Sequence, residues 1–328
     1  MQVLLLIRNP SNSNLYGGWI KNVQGDVSFV TEFGFDWIPP PECSLVITHD
    51  TYRPESCAAI FNCIKKNVPV LILSDGISEY RNSWVQKHRV DSGIFNPILG
   101  HKLACIGASQ VRFLESIKDN FGKCENVGLP RLDDFKIENS KSKIPSILVC
   151  SSKTPWFSEC DKKQVLQSFI DLKEIAFNYG QNHKVKFNWR ISDHIASVIG
   201  VETSIRKSLK EDLQSSTAVI SMPSTVMLEA MYTSMPVALL DYTLSPHYVQ
   251  AAWPISCKEQ ILSTINELFN PPIAKLFFQR TALADALQIK ESASARMVRL
   301  VNKMEEIGDR SRSLGKPLRF PHRILECE

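Results

Sequence analysis

The stretch Ser221-Met222-Pro223-Ser224-Thr225-Val226-Met227-Leu228-Glu229-Ala230 joins a short apolar run to a helical pattern. Residues 218–221 predict a buried strand, and residues 225–233 predict a helix that begins directly after it. A helix N-terminus carries unpaired backbone N–H groups and the positive end of the helix dipole, so it binds phosphate without a basic side chain. The alternative is that Ser224 simply caps the helix. This turn predicts an α/β domain with a candidate phosphate site.

The same alternation of short apolar runs and helical patterns extends along the whole chain. Predicted strands occupy 3–7, 44–48, 68–74, 103–106, 146–150, 184–189, 218–221 and 236–241. Predicted helices between them cover 54–66, 110–120, 162–179, 204–214 and 225–233. Continuous apolar strands separated by helices are typical of parallel sheets that are covered on both faces. The sequence therefore predicts two Rossmann-like domains whose parallel sheets face a central cleft.

A change of composition divides the two halves. Residues 136–145 are rich in Lys, Ser and Asn and end in Pro145, which is typical of a polar linker. The length of 328 residues also favours two domains over one. We predict an N-terminal acceptor-side domain over 1–138, a linker over 139–145, a C-terminal donor domain over 146–311 and a tail over 312–328.

The composition argues against several classes of protein. The net charge of +4 is too balanced for a protein that coats nucleic acid. Nine cysteines without a CxxC pair argue against a disulfide framework or a zinc ribbon, and seven scattered histidines show no ligand spacing. No apolar run approaches the roughly 20 residues that span a bilayer, and the N-terminal run is too short for a secretory signal. We expect a cytoplasmic protein with no nucleic-acid partner, no metal and no cofactor.

Polar residues that follow the predicted strands are the candidates for a site, because parallel sheets bind ligands beyond the carboxyl ends of their strands. In the first half these candidates are His49, Asp50, Tyr52, Asp75, Glu79 and Arg81. In the second half they are Ser151, Ser152, Arg190, Ser221, Ser224, Thr225 and Glu229.

The segment Pro223-Ser224-Thr225-Val226-Met227-Leu228-Glu229-Ala230-Met231, followed by Met235-Pro236-Val237, resembles the donor-binding helix of GT-B nucleotide-sugar glycosyltransferases. In that family the equivalent segment cradles the nucleotide phosphate, and Ser234 stands where the family often has Gly. Non-hydrolysing nucleotide-sugar epimerases contain the same segment. The resemblance covers both halves of the chain and implies a GT-B fold. It also implies a nucleotide-sugar donor bound by the second-half candidates.

Asp75-Gly76 directly follows a predicted buried strand, where Asp75 either serves a site or caps the segment that follows. Bacterial sialyltransferases and Kdo transferases of the GT-B class carry an acidic-Gly motif at this place, and the segment is most similar to retaining β-Kdo transferases of surface polysaccharide assembly. The resemblance implies that Asp75 is the catalytic carboxylate, with Glu79 and Arg81 shaping its site. Asp75 would deprotonate the acceptor in an inverting reaction or attack the anomeric carbon in a retaining one. The implied donor is CMP-linked Kdo or a similar acidic sugar, and the acceptor is a growing or lipid-linked surface glycan.

The second half departs from the CMP-sugar pattern, which includes a His-Pro motif after a strand. Here the corresponding segment is Arg190-Ile191-Ser192-Asp193-His194, without Pro. We expect Arg190 to neutralise the departing nucleotide phosphate, with His194 either assisting or lying on a surface helix. In the first half His49, Asp50 and Tyr52 are expected to meet acceptor hydroxyls, unless Asp50 or Thr51 caps the next helix.

Basic residues recur along the last part of the chain. They are Arg296, Arg299, Lys303, Arg310, Arg312, Lys316, Arg319 and Arg323. They form either a solvated face or a peripheral contact with anionic lipid, at about 1 kcal/mol per basic residue near the surface. For the chain as a whole, the alternatives to a CMP-sugar transferase are a UDP- or CDP-linked transferase, a nucleotide-sugar epimerase, a polyol-phosphate transferase, and a non-catalytic GT-B scaffold module.

Overall fold

The computed structural model describes residues 2–8, 16–84, 93–135, 144–204 and 208–326. The chain divides into two compact units, of which the first combines Met1–Asp134 with Asp285–Glu328 and the second comprises Phe135–Ala284. Each unit contains one parallel β-sheet with helices, so the predicted α/β architecture of two sheets is confirmed.

The sheet of the first unit has six parallel strands in the order β2-β1-β3-β4-β5-β6. The strands are β1 (Gln2–Leu6), β2 (Asp26–Val30), β3 (Cys43–Thr48), β4 (Val70–Leu73), β5 (Lys102–Cys105) and β6 (Cys124–Asn126). Helices α1 (Pro54–Lys65) and α2 (Ala108–Glu115) cover one face, where Ile60 and Leu114 join the core. β3 is buried over its whole length, because both faces of the sheet are covered.

The sheet of the second unit has five parallel strands in the order β11-β10-β9-β7-β8. The strands are β7 (Ser146–Cys150), β8 (Lys186–Arg190), β9 (Ala218–Ser221), β10 (Val237–Leu240) and β11 (Trp253–Ile255). The helices are α3 (Glu159–His183), α4 (Asp193–Ile199), α5 (Leu209–Gln214), α6 (Thr225–Tyr232), α7 (Glu259–Phe269) and α8 (Ile273–Ala286). Phe169, Trp253 and Ile265 lie in a buried cluster that joins the sheet to α3, α4 and α7.

The last long helix, α9 (Ala293–Ser313), packs on the first unit. Its buried residues Met297, Leu300, Val301 and Met304 contact the face of the first sheet that α1 and α2 leave uncovered. Burying each of these side chains stabilises the fold by about 2 kcal/mol. The predicted C-terminal domain over 146–311 and separate tail over 312–328 are corrected accordingly, because the chain from Asp285 returns to the first unit. Most of the predicted linker lies outside the described residues.

The returning chain enters the first unit through close backbone contacts. The Asp133 carboxylate accepts hydrogen bonds from the backbone N–H groups of Ala293, at 3.0 Å, and Ser294, at 2.7 Å, and so caps α9. A Cβ placed on Gly107 would lie 2.2 Å from the carbonyl oxygen of Ala286, so the turn after β5 requires glycine at this approach. Nothing local to Asp133 in the sequence indicates that it caps a helix 160 residues away.

A buried ion pair holds the final segment against the same unit. The Lys102 ammonium lies 2.8 Å from Glu125 Oε1 and donates to the carbonyl oxygens of Pro321, at 2.7 Å, and His322, at 2.9 Å. Glu125 also accepts from the backbone N–H of Ile324 at 2.7 Å. Burying two charges is costly unless their remaining donors and acceptors are satisfied, and here residues 321–324 satisfy them.

Several of the basic residues near the end of the chain lie in ion pairs. These pairs join Arg296 and Arg299 to Glu291, Arg312 to Asp309, and Arg323 to Glu115. Arg310, Lys316 and Arg319 are exposed, and contact with anionic lipid stays a prediction that would use these three cations. Over the residues that the structure describes, no helix combines the length and the apolar character needed to cross a bilayer.

The half-buried His101 makes the first unit sensitive to acid. Its Nδ1 accepts a hydrogen bond from the backbone N–H of Val70 at 3.0 Å, and burial together with Lys123 lowers its pKa to about 4. The unfolded chain takes up this proton near pH 6.5, so the free energy of unfolding falls as the pH decreases from 6.5 to 4. We expect this group to account for a loss of up to about 3 kcal/mol over that window.

Urea unfolding of the wild type and of His101→Asn at pH 7, 5.5 and 4 measures this contribution. The Asn side chain retains an acceptor for Val70 but does not titrate, so the stability of the variant should fall less steeply with decreasing pH. Equal losses in the two proteins would show that His101 is not the group responsible.

Candidate functional site

The carboxyl edge of the first sheet brings together two of the predicted site residues. β3 and β4 are hydrogen-bonded neighbours, so the residues that follow them lie side by side. His49 and Asp75 line one small pocket together with Tyr16, Trp19 and Met297. The sequence predicted both residues for this edge but could not show that α9 supplies a wall of the pocket.

The carboxylate of Asp75 is exposed and makes no hydrogen bond or ion pair with any residue that the structure describes. Other groups hold the turn. The backbone carbonyl of Asp75 accepts from Arg131 Nη1 at 2.8 Å, and buried Ser74 donates to the carbonyl of Gly76 at 3.1 Å and accepts from Gln110 Nε2 at 2.9 Å. The turn is therefore fixed without the Asp75 side chain, which leaves that carboxylate for a ligand.

Glu79 and Arg81 have structural roles in the segment that follows. Glu79 caps the short helix Tyr80–Ser83 in a capping box, in which its backbone N–H donates to Asn82 Oδ1 at 2.8 Å. Arg81 Nη2 donates to Glu79 Oε2 at 3.1 Å. Neither residue lines the pocket that contains Asp75, so their predicted part in catalysis stays a prediction.

His49 is suited to accept a proton. Its Nδ1 lies 3.4 Å from the Tyr16 hydroxyl. Burial lowers the pKa of His49, an effect that the carboxylates of Asp75 and Asp50 partly offset. The imidazole is therefore uncharged at neutral pH. Burial also raises the pKa of Tyr16, which keeps its hydroxyl protonated.

Asp50 serves the start of α1. Its carboxylate accepts from the backbone N–H groups of Tyr52, at 3.4 Å, and Arg53, at 3.3 Å, and from Ser56 Oγ at 2.8 Å. This is the helix-capping alternative that the sequence left open, and it directs the Asp50 carboxylate into the protein. The Tyr52 ring lies 5.7 Å from the Arg53 guanidinium. Of the three predicted acceptor residues, His49 is the one that lines the pocket with Asp75.

In the second unit, Ser224 occupies the N-cap position of α6 but its side chain makes no capping hydrogen bond. The hydroxyls of Ser158, Ser192 and Ser292 each accept from a backbone N–H in the first turn of their helices, whereas Ser208 at the start of α5 makes no capping bond either. The beginning of α6 therefore lacks a side-chain cap, a gap that a bound anion can fill.

The remaining predicted donor residues are tied to the second sheet. Ser151 Oγ accepts from the backbone N–H of Ser192 and donates to the carbonyl of Ser152, each at 2.9 Å, which links the ends of β7 and β8. Ser221 is buried and donates to the carbonyl of Met222 at 2.7 Å. Glu229 is buried within α6.

Arg190 is not available as a free cation. Its Nη1 lies 3.0 Å from Asp212 Oδ2, and both side chains are largely buried. Ser204 Oγ donates to the same carboxylate at 2.8 Å. Asp212 balances the charge of Arg190 in this structure, and the expected neutralisation of a nucleotide phosphate by Arg190 stays a prediction. His194 is exposed on α4 and packs edge-on against Trp156, as the surface alternative expected.

Sequence reasoning did not select Asp241 and His247 as site residues. Asp241 follows β10, and its Oδ2 lies 2.8 Å from His247 Nε2. Burial raises the pKa of Asp241, but hydrogen bonds from His247 and Thr243 outweigh this and hold the pKa below its usual value. The position of Asp241 at the end of a strand could have identified it as a candidate site residue, whereas no spacing pattern in the sequence identifies His247.

Comparison with known proteins supports the fold. No family model and no curated protein matches this chain. Solved structures match over nearly the full length and identify the fold as GT-B, in two α/β domains. The S. aureus MnaA–UDP co-structure has a TM-score of 0.64 at 11% identity and covers 97% of this chain and 99% of that chain.

Two further structures agree. The wall teichoic acid polymerase TagF, as the H444N variant with CDPG, has a TM-score of 0.58 at 12% identity and covers 95% of this chain and 89% of that chain. The UDP-GlcNAc 2-epimerase of Methanocaldococcus jannaschii, in complex with UDP-GlcNAc and UDP, has a TM-score of 0.57 at 12% identity, with coverage of 92% and 98%. Identities this low establish the fold alone.

Ser234, which lies past the C-terminal end of α6, provides a test of backbone strain. It follows α6 with φ 64°, and its neighbour Met235 donates from its backbone N–H to the carbonyl of Ala230 at 3.1 Å, which completes the helix C-terminus. For a residue with a Cβ, this left-handed conformation is unfavourable by about 1 kcal/mol, whereas glycine adopts it without that penalty. We expect Ser234→Gly to raise the free energy of unfolding by about 0.5 to 1 kcal/mol in urea unfolding.

The matched control is Ser234→Ala, which keeps a Cβ and should change stability by less than about 0.5 kcal/mol because the site is exposed. A Gly variant that is less stable than the wild type would contradict the strain at this position.

Proposed function

We propose that this chain is a nucleotide-sugar glycosyltransferase in which the first unit carries the catalytic carboxylate and the second unit carries the donor-phosphate site. The observation that carries the proposal is the Asp75 carboxylate, which is exposed, without a partner among the described residues, and beside His49 in one pocket. A carboxylate that is not used to stabilise the fold is available to react.

Asp75 has two chemical routes in this proposal. In an inverting reaction it takes the proton of the acceptor hydroxyl while that oxygen bonds to the anomeric carbon and the bond to the nucleotide phosphate breaks. In a retaining reaction Asp75 bonds to the anomeric carbon as the nucleotide leaves, and the acceptor oxygen then displaces Asp75 while its proton passes to His49. His49, uncharged at neutral pH, contacts the acceptor hydroxyl in either route.

The N-terminus of α6 binds the donor phosphate. Ser224 leaves this helix without a side-chain cap, so its backbone N–H groups and dipole are suited to an anion. Because Arg190 is paired with Asp212, the helix rather than that guanidinium stabilises the departing phosphate. Thr225, Glu229 and Ser152 remain predicted donor contacts.

The favoured donor is CMP linked to Kdo or a similar acidic sugar, and the acceptor is a surface glycan, free or lipid-linked. The similarity of residues 73–82 to β-Kdo transferases supports this donor. The solved neighbours were crystallised with UDP, CDPG and UDP-GlcNAc, which makes UDP- and CDP-linked donors the alternatives. A lipid-linked acceptor would bring the exposed Arg310, Lys316 and Arg319 close to anionic lipid.

Thermal shift with CMP, CDP and UDP distinguishes these donors. A ligand that binds the folded state stabilises it by about 2.7 kcal/mol at one hundred times its dissociation constant, so we expect CMP to raise Tm more than UDP does. A larger shift with UDP or CDP would replace the CMP assignment. No shift with any nucleotide would overturn the proposed function.

Asp75→Asn tests the catalytic assignment. We expect the variant to lose at least about 10³-fold in kcat, because the amide neither accepts the proton nor attacks carbon, while nucleotide affinity is retained. The matched control is Asp26→Asn, which removes an exposed carboxylate from the start of β2 in the same unit. The rate is measured as sugar transfer from the donor identified by thermal shift. Full turnover by Asp75→Asn would contradict the catalytic assignment.

Epimerisation is a second candidate, because the UDP-GlcNAc 2-epimerase of Methanocaldococcus jannaschii matches over 92% of this chain. Incubation with UDP-GlcNAc and no acceptor, followed by NMR, separates the two reactions. A C2 epimer would assign epimerisation in place of transfer.

A further inference from the structure

The loop after β10 contains a carboxylate–imidazole pair that the proposed catalytic pocket does not use. Asp241 Oδ2 lies 2.8 Å from His247 Nε2 and accepts from the backbone N–H of Ser245 at 3.1 Å. Asp241 Oδ1 accepts from the backbone N–H of Thr243 at 2.8 Å and from its hydroxyl at 2.6 Å. The carboxylate is therefore fixed, and it fixes the orientation of the imidazole in turn.

Contacts on both sides of this pair hold the loop to the second unit. The Tyr242 hydroxyl donates to Asp171 Oδ2 at 3.2 Å. After the pair, Gln250 Nε2 donates to the carbonyl of His247 at 2.6 Å, and Tyr248 and Val249 are buried. The imidazole of His247 thus lies on an anchored segment.

The pair lies at the same edge of the sheet as the beginning of α6. β9 and β10 are hydrogen-bonded neighbours, and Ser221 pairs with Leu239 in the last register position. Three residues beyond Ser221 the chain reaches Ser224, the N-cap of α6, and two residues beyond Leu239 it reaches Asp241. Adjacent parallel strands are about 4.8 Å apart, so their carboxyl ends open on one shared region.

The second nitrogen of His247 is suited to bind an anion. Nε2 is engaged with Asp241, whereas Nδ1 makes no hydrogen bond with the described residues, and the side chain is 12% exposed. A protonated imidazole donates from both nitrogens.

We propose that His247, oriented by Asp241, binds the phosphate of the nucleotide ligand by donating a hydrogen bond from Nδ1 at the N-terminus of α6. This inference rests on the proposed function, which supplies the nucleotide. Asp241 is a positioning residue that acts through His247. The imidazole adds a side-chain contact at a helix start where Arg190 is bound to Asp212.

Two substitutions at one position separate the two nitrogens. His247→Gln places an amide near the Nε2 position, so the variant can still contact Asp241 but has no donor at Nδ1. His247→Asn is the matched control, since its shorter amide occupies the Nδ1 position and loses the contact with Asp241. Calorimetry with CMP, CDP and UDP, and NMR titration with cytidine and uridine, measure the affinities.

We expect His247→Gln to weaken binding of the nucleotide by about 10- to 100-fold, the effect of one hydrogen bond to a charged group. Affinity for the nucleoside, which lacks phosphate, should not change. His247→Asn should lose less affinity for the nucleotide than His247→Gln. Asp241→Asn should lower the affinity for the nucleotide in the wild-type background. In the His247→Gln background it should lower that affinity little further, because both changes act on one contact.

A measurement on the wild type does not depend on the folding of any variant. With ¹⁵N-labelled histidine, the Nδ1 resonance of His247 should move on addition of the nucleotide and stay in place with the nucleoside. If the resonance does not move, or if His247→Gln lowers the affinities for nucleotide and nucleoside equally, His247 has a structural role and the inference is overturned.

The outcomes also separate this inference from the function on which it rests. If the wild type binds nucleotide and His247→Gln binds it equally tightly, only the role of His247 fails. If the wild type binds none of the three nucleotides, the proposed function fails and the inference fails with it.

Discussion

The apolar face of the first sheet, lined by Leu5, Leu45 and Leu71, must be covered, and the path of the chain follows from this need. α9 covers the face only after the whole second unit has intervened, and the buried Lys102–Glu125 pair holds the segment beyond it. The same helix also forms part of the candidate site, because Met297 of α9 lines the pocket that contains Asp75. Core and pocket of the first unit therefore depend on residues from opposite ends of the sequence.

One rule of parallel sheets places the candidate chemistry in both units, since side chains that follow adjacent strands meet at the carboxyl edge. Which charged side chains at each edge can bind a ligand depends on which of them are already paired with other protein groups. Asp50 and Arg190 are satisfied by neighbouring protein groups, whereas the Asp75 carboxylate and His247 Nδ1 are not bound by the described residues. The contrast lies in tertiary contacts rather than in the types of residue.

The sequence predicted the elements whose signal is local. The strands at 146–150 and 218–221 have the predicted bounds because each is a continuous apolar run, whereas β2 was missed because it is partly exposed and lacks such a run. The amphipathic pattern of α9 could not identify the sheet that the helix covers. In the site, strand ends indicated His49 and Asp75, but the pairing of Arg190 with Asp212 joins residues 22 apart and has no local signature.

The discontinuity of the first unit has a consequence during synthesis on the ribosome. The 150 residues of the second unit separate the first sheet from α9, and at roughly 5 to 20 residues per second they take about 8 to 30 seconds to translate. Over that interval the Leu5–Leu45 face has no helix to cover it, while the second unit emerges as one contiguous stretch that can close by itself. We expect the unit that begins first to be completed last.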